Sequence, residues 1–135
     1  MRPLPELTAE NEAFWTGGER GELMIAFCED CAAAIHPPQL LCPRCCSRAV
    51  TARAVAGTGV VYAYTVNHQA WTPDLEVPFA IAVVDVDGAP GVRVTAPVAG
   101  CDPDAVRIGQ RMRIAFTASG DVWLPLWRPC TTDAP

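Results

Sequence analysis

Two Cys-x-x-Cys pairs constrain this chain more than any other feature of its sequence. Cys28/Cys31 and Cys42/Cys45 flank a ten-residue gap, and Cys46 directly follows the second pair. Structural zinc takes four ligands in a tetrahedron, and thiolates at about 2.3 Å suit it well. Each turn supplies two thiolates, and a hairpin through the gap can bring the two turns together. The spacing therefore predicts a closed metal site with Cys28, Cys31, Cys42 and Cys45 as ligands.

The gap between the pairs, AAAIHPPQLL, has the composition of a short hairpin. Pro37 and Pro38 stiffen the bend because each ring fixes its backbone φ angle. Ile35 is expected to pack against Leu40 and Leu41 inside the hairpin.

Other interpretations of the cysteines fit less well. A thioredoxin-like redox motif would need one Cys-x-x-Cys after a strand of a βαβ unit, which this pattern lacks. Iron in a rubredoxin-like centre is the stronger rival, since the same four thiolates accept it. Zinc is preferred as the commoner occupant. Cys46 as a spare ligand and His36 as a replacement for a thiolate are weaker alternatives.

Two positions in the cysteine turns depart from the usual pattern. Such turns commonly carry glycine after the second cysteine, because glycine tolerates a positive φ angle. Here Ala32 and Cys46 occupy those places. Both turns therefore lack their usual glycine.

Composition and charge exclude several classes of partner. The 135 residues include 15 acidic and 10 basic side chains, giving a net charge of −5 and a pI of about 4.8. Nucleic-acid affinity depends mainly on Lys and Arg that neutralise phosphates, so a nucleic-acid partner is not expected. The apolar runs are shorter than the roughly 20 residues that cross a bilayer, and the polar N-terminus lacks a secretory signal. We expect a cytoplasmic protein that does not enter a membrane.

The N-terminal residues predict a helix. Thr8 can cap it, and the pattern continues to about Trp15 before Gly17-Gly18, a natural stop. Phe14 and Trp15 at its end are either core residues or an anchor that binds a partner. A strand over residues 22–28 then leads into the first cysteine pair.

The chain after Ser47 alternates short strands with turn signals. Strands are predicted over residues 57–68, 79–86, 91–98, 110–118 and 122–127, with one helical turn over 102–107. Five strands with a late helical turn suit a small Greek-key barrel of the oligomer-binding (OB) type, and a five-stranded sandwich is the alternative. The sequence alone leaves open whether Trp71, Trp123 and Trp127 are core or interface residues.

The prediction is thus a mainly β protein: an N-terminal helical segment (residues 1–21), a rubredoxin-like zinc ribbon (22–50) and a five-stranded OB-fold barrel (51–135). The order of short motifs resembles the zinc-ribbon plus OB-fold family called domain of unknown function 35. The motifs that carry the resemblance are Phe14-Trp15, Gly21-Glu22-Leu23, Cys28/Cys31, Pro37-Pro38, Cys42-Pro43-Arg44-Cys45, Pro78-Phe79 and Ile108-Gly109.

The resemblance implies a non-catalytic companion of an acyl-CoA enzyme. Thiolases, thiolase-like lipid-transfer proteins, aldolases and MaoC-type hydratases are the implied partners, in lipid, sterol or polyketide-type metabolism. It further implies docking at the partner's acyl-CoA site, with contact to acyl-CoA through residues that the sequence does not identify. The residues themselves are compatible with this role: no nucleophile–base pair, Gly-rich phosphate loop or paired carboxylates stand out, so no catalytic residue is predicted. A single-stranded nucleic-acid-binding protein and an iron electron carrier are the alternative functions.

Overall fold

The computed structural model describes residues 3–130 and is mainly β, as predicted. Its strands form one three-stranded and one five-stranded antiparallel sheet. The strands are β1 (Leu23–Cys28), β2 (Ala34–Ile35), β3 (Val50–Val55), β4 (Thr58–Asn67), β5 (Phe79–Val86), β6 (Arg93–Pro97), β7 (Arg111–Ser119) and β8 (Val122–Pro129). Residues 1, 2 and 131–135, at the ends of the predicted domains, lie outside the described residues. The predicted domain boundaries stay a prediction.

The N-terminal helix is shorter than predicted. Thr8 exchanges hydrogen bonds with Asn11: its backbone N–H donates to Asn11 Oδ1 at 2.7 Å, and its hydroxyl accepts from Asn11 N–H at 3.3 Å. This pair caps a turn, and the helix α1 itself covers Glu12–Thr16. The prediction that Thr8 begins the helix was therefore wrong by one turn, because the Thr8–Asn11 bonds hold the intervening residues in a turn.

As predicted, α1 ends just before Gly17 and Gly18. A separate 3-10 helix follows over Gly17–Arg20 and ends at Gly21, whose φ of 71° is left-handed. The two glycines also allow close packing. A Cβ on Gly17 would lie 2.7 Å from Met24 Cγ of β1, and a Cβ on Gly18 would lie 2.6 Å from Phe116 Cγ of β7. Bare backbone at these positions lets the segment contact both sheets.

The three-stranded sheet has the order β2-β1-β3. The strand β3 was not predicted. It pairs with β1 along its whole length, from Leu23↔Val55 to Cys28↔Val50. The four central residues of β3, TARA, are all exposed, so the strand lacks the alternation of apolar and polar residues that marks a half-buried strand. Through this pairing the three-stranded sheet extends beyond residue 50, as far as Val55.

The five-stranded sheet has the order β6-β5-β4-β7-β8. A parallel bridge between Val98 and Trp127 joins its two ends, and Ala99 N–H donates to the Trp127 carbonyl at 2.8 Å. The Trp127 indole is fully buried and donates to the Val94 carbonyl at 3.2 Å. Because the sheet closes on itself, the architecture is the predicted OB-fold barrel and not the alternative sandwich.

The barrel interior holds most of the core. Along β5 the burial alternates strictly, with Ala80 and Ala82 among the inward residues. Val94 and Ala96 of β6 are buried on one face as predicted. The helical turn predicted over 102–107 is a shorter 3-10 turn, Pro103–Ala105, capped by the Asp102 side chain. Among residues 3–130, the structure has no helix with the length and apolar character needed to cross a bilayer.

Candidate metal centre

The four predicted ligands converge at one point. The Sγ atoms of Cys28, Cys31, Cys42 and Cys45 all lie within 4.8 Å of one another. The Cys28–Cys45 sulfurs are 3.6 Å apart and the Cys31–Cys42 sulfurs 3.7 Å apart. Sulfurs about 2.3 Å from a tetrahedral ion would be separated by roughly 3.8 Å. The donor set and its spacing therefore fit a tetrahedral four-thiolate metal ion.

The two cysteine turns are built alike. The Cys28 carbonyl accepts from Ala32 N–H, and the Cys42 carbonyl accepts from Cys46 N–H, both at 2.9 Å. In each turn a backbone N–H also points at the first sulfur: Cys31 N lies 3.4 Å from Cys28 Sγ. In the second turn the contact comes from the residue two after the first cysteine, with Arg44 N 3.4 Å from Cys42 Sγ. These N–H groups favour the thiolate form that a metal needs.

The residues after the second cysteine of each pair adopt the left-handed conformation that usually goes with glycine. Ala32 has a φ of 65° and Cys46 a φ of 66°, and among residues 3–130 they are the two non-glycine residues with positive φ. Left-handed backbone places Cβ too close to the next carbonyl, at a cost of roughly 1–2 kcal/mol per residue. Cys46 is exposed and stands outside the sulfur cluster, so it is not a fifth member of the site.

In the absence of a metal ion the four thiols differ in pKa. The backbone N–H of Cys31 is the main cause that lowers the pKa of Cys28 to about 7. The Ser47 N–H favours the Cys45 thiolate, but the neighbouring sulfurs, Cys28 first, and burial together raise the pKa of Cys45 to about 12. Four thiolates repel one another, so a bound dication is what allows all four sulfurs to lose their protons together.

Side chains beside the sulfurs link the two turns, and the sequence analysis did not identify them. The Ser47 hydroxyl donates to Asp30 Oδ2 of the first turn and accepts from Ala49 N–H at 3.0 Å. The Ser47 carbonyl accepts from Cys42 N–H at 2.9 Å. An acidic residue inside one Cys-x-x-Cys turn and a serine shortly after the other turn are the signal that could have indicated this link.

His36 does not join the sulfur cluster. Its ring packs against Phe14, with ring centroids 5.0 Å apart. Burial lowers the pKa of His36 below its usual value. Its Nδ1 atom is buried, and no described residue donates to it or accepts from it. His36 is therefore a packing residue between the ribbon and α1.

Phe14 and Trp15 lie where the helix meets the core. Phe14 is 8% exposed, and its ring meets the Trp15 ring edge-on with centroids 4.9 Å apart. Trp15 is half-buried against the same core. Their role as a partner anchor stays a prediction.

The expected packing of Leu40 and Leu41 on Ile35 was wrong. Ile35 is buried beside Cys28 and Cys42, whereas Leu40 and Leu41 are 59% and 45% exposed. The cysteines fill the space around Ile35, so the two leucines project from the ribbon.

Two family models match the chain. A ChsH2 rubredoxin-like zinc ribbon domain matches residues 15–51, and a ChsH2 C-terminal OB-fold domain matches residues 52–117. A DUF35 domain-containing scaffold protein of Methanocaldococcus jannaschii is 31% identical over 101 residues, 73% of this chain and 70% of the relative. The chain belongs to the DUF35 family. The resemblance drawn from its motifs is confirmed.

Larger relatives in the DUF35 family carry enzyme names. A probable enoyl-CoA hydratase alpha subunit of Thermomonospora curvata is 32% identical over 96% of this chain. The 3-oxo-4,17-pregnadiene-20-carboxyl-CoA hydratase alpha subunit of Mycobacterium tuberculosis is 30% identical over 93% of it. The chain spans 40% and 39% of the lengths of these two relatives.

Two solved DUF35 structures are similar in shape. A chain of the Ltp2-ChsH2(DUF35) aldolase superimposes with a TM-score of 0.82 at 29% identity, covering 93% of this chain and 98% of the other. A DUF35 protein from Sulfolobus solfataricus superimposes with a TM-score of 0.60 at 15% identity, covering 88% and 84%. At that lower identity the second match concerns the fold alone.

Proposed function

We propose that this chain is a non-catalytic, zinc-containing subunit that docks on an acyl-CoA enzyme in the cytoplasm. The observation that carries the proposal is the similarity, along nearly all of both chains, to a chain of the Ltp2-ChsH2(DUF35) aldolase. Two relatives named as CoA hydratase alpha subunits add support for a CoA-thioester setting. A thiolase-like aldolase is the first candidate partner, and a MaoC-type hydratase and a thiolase follow.

A structural role for the metal agrees with the geometry of the site. All four positions of a tetrahedral ion would be filled by the cysteine sulfurs, which leaves no position for a substrate. In this proposal the metal holds the two cysteine turns of the ribbon together and takes no part in chemistry. Cys28, Cys31, Cys42 and Cys45 are the proposed ligands.

The partner is tested by co-expression. The tagged chain is produced with each candidate thiolase-like aldolase, MaoC-type hydratase and thiolase encoded in its source genome, and complexes are measured by size-exclusion chromatography with light scattering. We expect one enzyme to form a stoichiometric complex and to lose activity or thermal stability when this chain is omitted. If every candidate enzyme elutes alone and is equally active without the chain, the proposed function is wrong.

The metal is tested separately. Protein made in zinc-replete cells is expected to contain one zinc per chain by elemental analysis and to lack a visible absorption band. Stoichiometric iron with a thiolate-to-iron band in the visible spectrum would favour the electron-carrier alternative instead. A four-serine variant of the ligand set is the control for metal bound elsewhere.

A further inference from the structure

The outer face of β5 is unusually apolar. A sheet with one face toward water normally carries polar residues on that face. The inward positions of β5 hold two alanines and two valines, whereas three of its four outward positions hold Phe79, Ile81 and Val83, all half-buried, and the fourth holds Asp85. None of these three belongs to the core cluster or packs against it. Their size is therefore not explained by packing inside the barrel.

The strands beside β5 continue this surface without charge. Val83 pairs with Ala63 of β4 and with Thr95 of β6. Ile81 pairs with Thr65 of β4 and with Pro97 of β6. We define the β5 face as Phe79, Ile81, Val83 and these four neighbours.

The charged residues at one end of the β5 face neutralise each other. Arg93 pairs with Asp85 at 2.9 Å, and its guanidinium also lies 3.7 Å from the centroid of the Tyr62 ring. The Arg93 and Asp85 side chains are each about half exposed. A pair in this arrangement offers no uncompensated cation for a phosphate group.

An exposed tryptophan stands at the other end of the β5 face. Trp71 is 69% exposed, and its indole N–H donates to Asn67 Oδ1 at 3.2 Å. Asn67 is the cross-strand partner of Phe79. The loop that carries Trp71, residues 68–78, is longer than the 2–5 residues usual for a hairpin, and such loops are commonly functional.

We propose that the β5 face and Trp71 form the surface on which this chain docks against its acyl-CoA enzyme, an inference that rests on the proposed function. OB folds commonly bind ligands on their second and third strands and the loop between the first two, which here are β5, β6 and the Trp71 loop. An oligonucleotide would need basic side chains there. A neutral apolar face with an exposed Trp matches the centre of a protein–protein interface. The partner surface is accordingly uncharged and apolar, with a pocket for the indole.

The test uses the enzyme that forms the complex in the co-expression experiment. Its affinity for the full chain is measured by biolayer interferometry for Trp71→Ala, Ile81→Glu and the matched control Leu40→Ala. Leu40 is also a highly exposed apolar residue, but it lies on the ribbon. We expect at least about a tenfold loss for Trp71→Ala, a larger loss for Ile81→Glu, and a change under about twofold for the control.

Trp71→Ala keeps the test interpretable because the indole is mostly exposed and its removal should leave folding intact, as checked by thermal melting. If both face variants bind like wild type, the docking inference is overturned while the proposed function stands. If wild-type chain forms no complex with any candidate, both are overturned. Self-association that the face variants abolish, or salt-dependent binding of a labelled single-stranded oligonucleotide to this face, would also overturn the inference.

Discussion

The ribbon and the barrel are held together in different ways. The ribbon has a separate small core of four buried residues, Ala26, Cys28, Ile35 and Cys42, and two of these are candidate metal ligands. The larger core cluster contains sixteen buried residues. A region with so little apolar surface to bury needs a cross-link, such as a metal, to offset the entropy of ordering its chain. The barrel obtains its stability from burial.

The two regions nevertheless share β1. Leu23, Ile25 and Phe27 of this strand belong to the large core, whereas Ala26 and Cys28 belong to the small one. The alternation along β1 thus joins the metal site to the barrel. The ribbon's cysteine turns can therefore loosen while β1 remains anchored in the large core.

The largest expected effect comes from removing the metal. Chelation, or Cys42→Ser, should abolish metal binding and release backbone protection in the two cysteine turns and β2, because the four-residue core cannot hold them. β4, β5 and β6 should keep their protection, since their core does not depend on the sulfurs. Hydrogen exchange measured by mass spectrometry checks this, with Cys130→Ser as the control. Loss of protection throughout the barrel would show that the two regions unfold as one.

A smaller effect is expected at the joint between the regions. Gly18→Ala should destabilise the chain by about 1–3 kcal/mol, because the new Cβ would lie 2.6 Å from Phe116 and Trp123. Chemical denaturation measures the free energy of unfolding. Glu19→Ala, an exposed change in the same 3-10 helix, is the control. Equal stability of the Gly18 variant and wild type would contradict the close packing.

The cysteine turns should gain stability from glycine. Cys46→Gly relieves left-handed strain of roughly 1–2 kcal/mol but adds about 0.4–1 kcal/mol of unfolded-state entropy. The net gain is expected to be about 0.5–1 kcal/mol, with metal content unchanged, and Ala32→Gly should behave alike. The control is Ala33→Gly, because Ala33 lies next to a strained position but has no positive φ. This variant should lower the free energy of unfolding. A stability loss in Cys46→Gly would show that the thiol itself contributes to the ribbon.

The smallest effect concerns pH. The folded pKa of His36 is lowered by burial, so the unfolded chain binds the proton first as the pH falls below about 6.5. The His36 contribution to stability is therefore fully present above that pH and declines on acidification. Between about pH 7.5 and 5.5, the melting temperature should fall less steeply with decreasing pH for His36→Gln than for wild type. The exposed His68→Gln variant should follow wild type, and identical slopes in all three would contradict the assignment.

Local patterns predicted much of this molecule. The cysteine spacing identified four sulfurs that the fold brings together, because a Cys-x-x-Cys turn fixes its geometry within four residues. An apolar run ending at a turn signal predicted β5 to the residue, and an Asp-Pro pair predicted the short helical turn. The strand β3 was missed because its exposed TARA segment forms a strand through backbone pairing with β1, which leaves no mark in side-chain periodicity.

Local sequence patterns were enough to predict the cysteine motif, strands such as β5 and the family. The tertiary structure determines the burial of residues that contact distant parts of the chain. Trp127 is buried and Trp71 is exposed, although each is one apolar residue in a β-rich region. Gly17 and Gly18 end α1 as the sequence predicts, but only the tertiary structure brings them close to Met24 and Phe116, which belong to different sheets. Burial and close approach depend on contacts between segments far apart in sequence, and local spacing does not encode them.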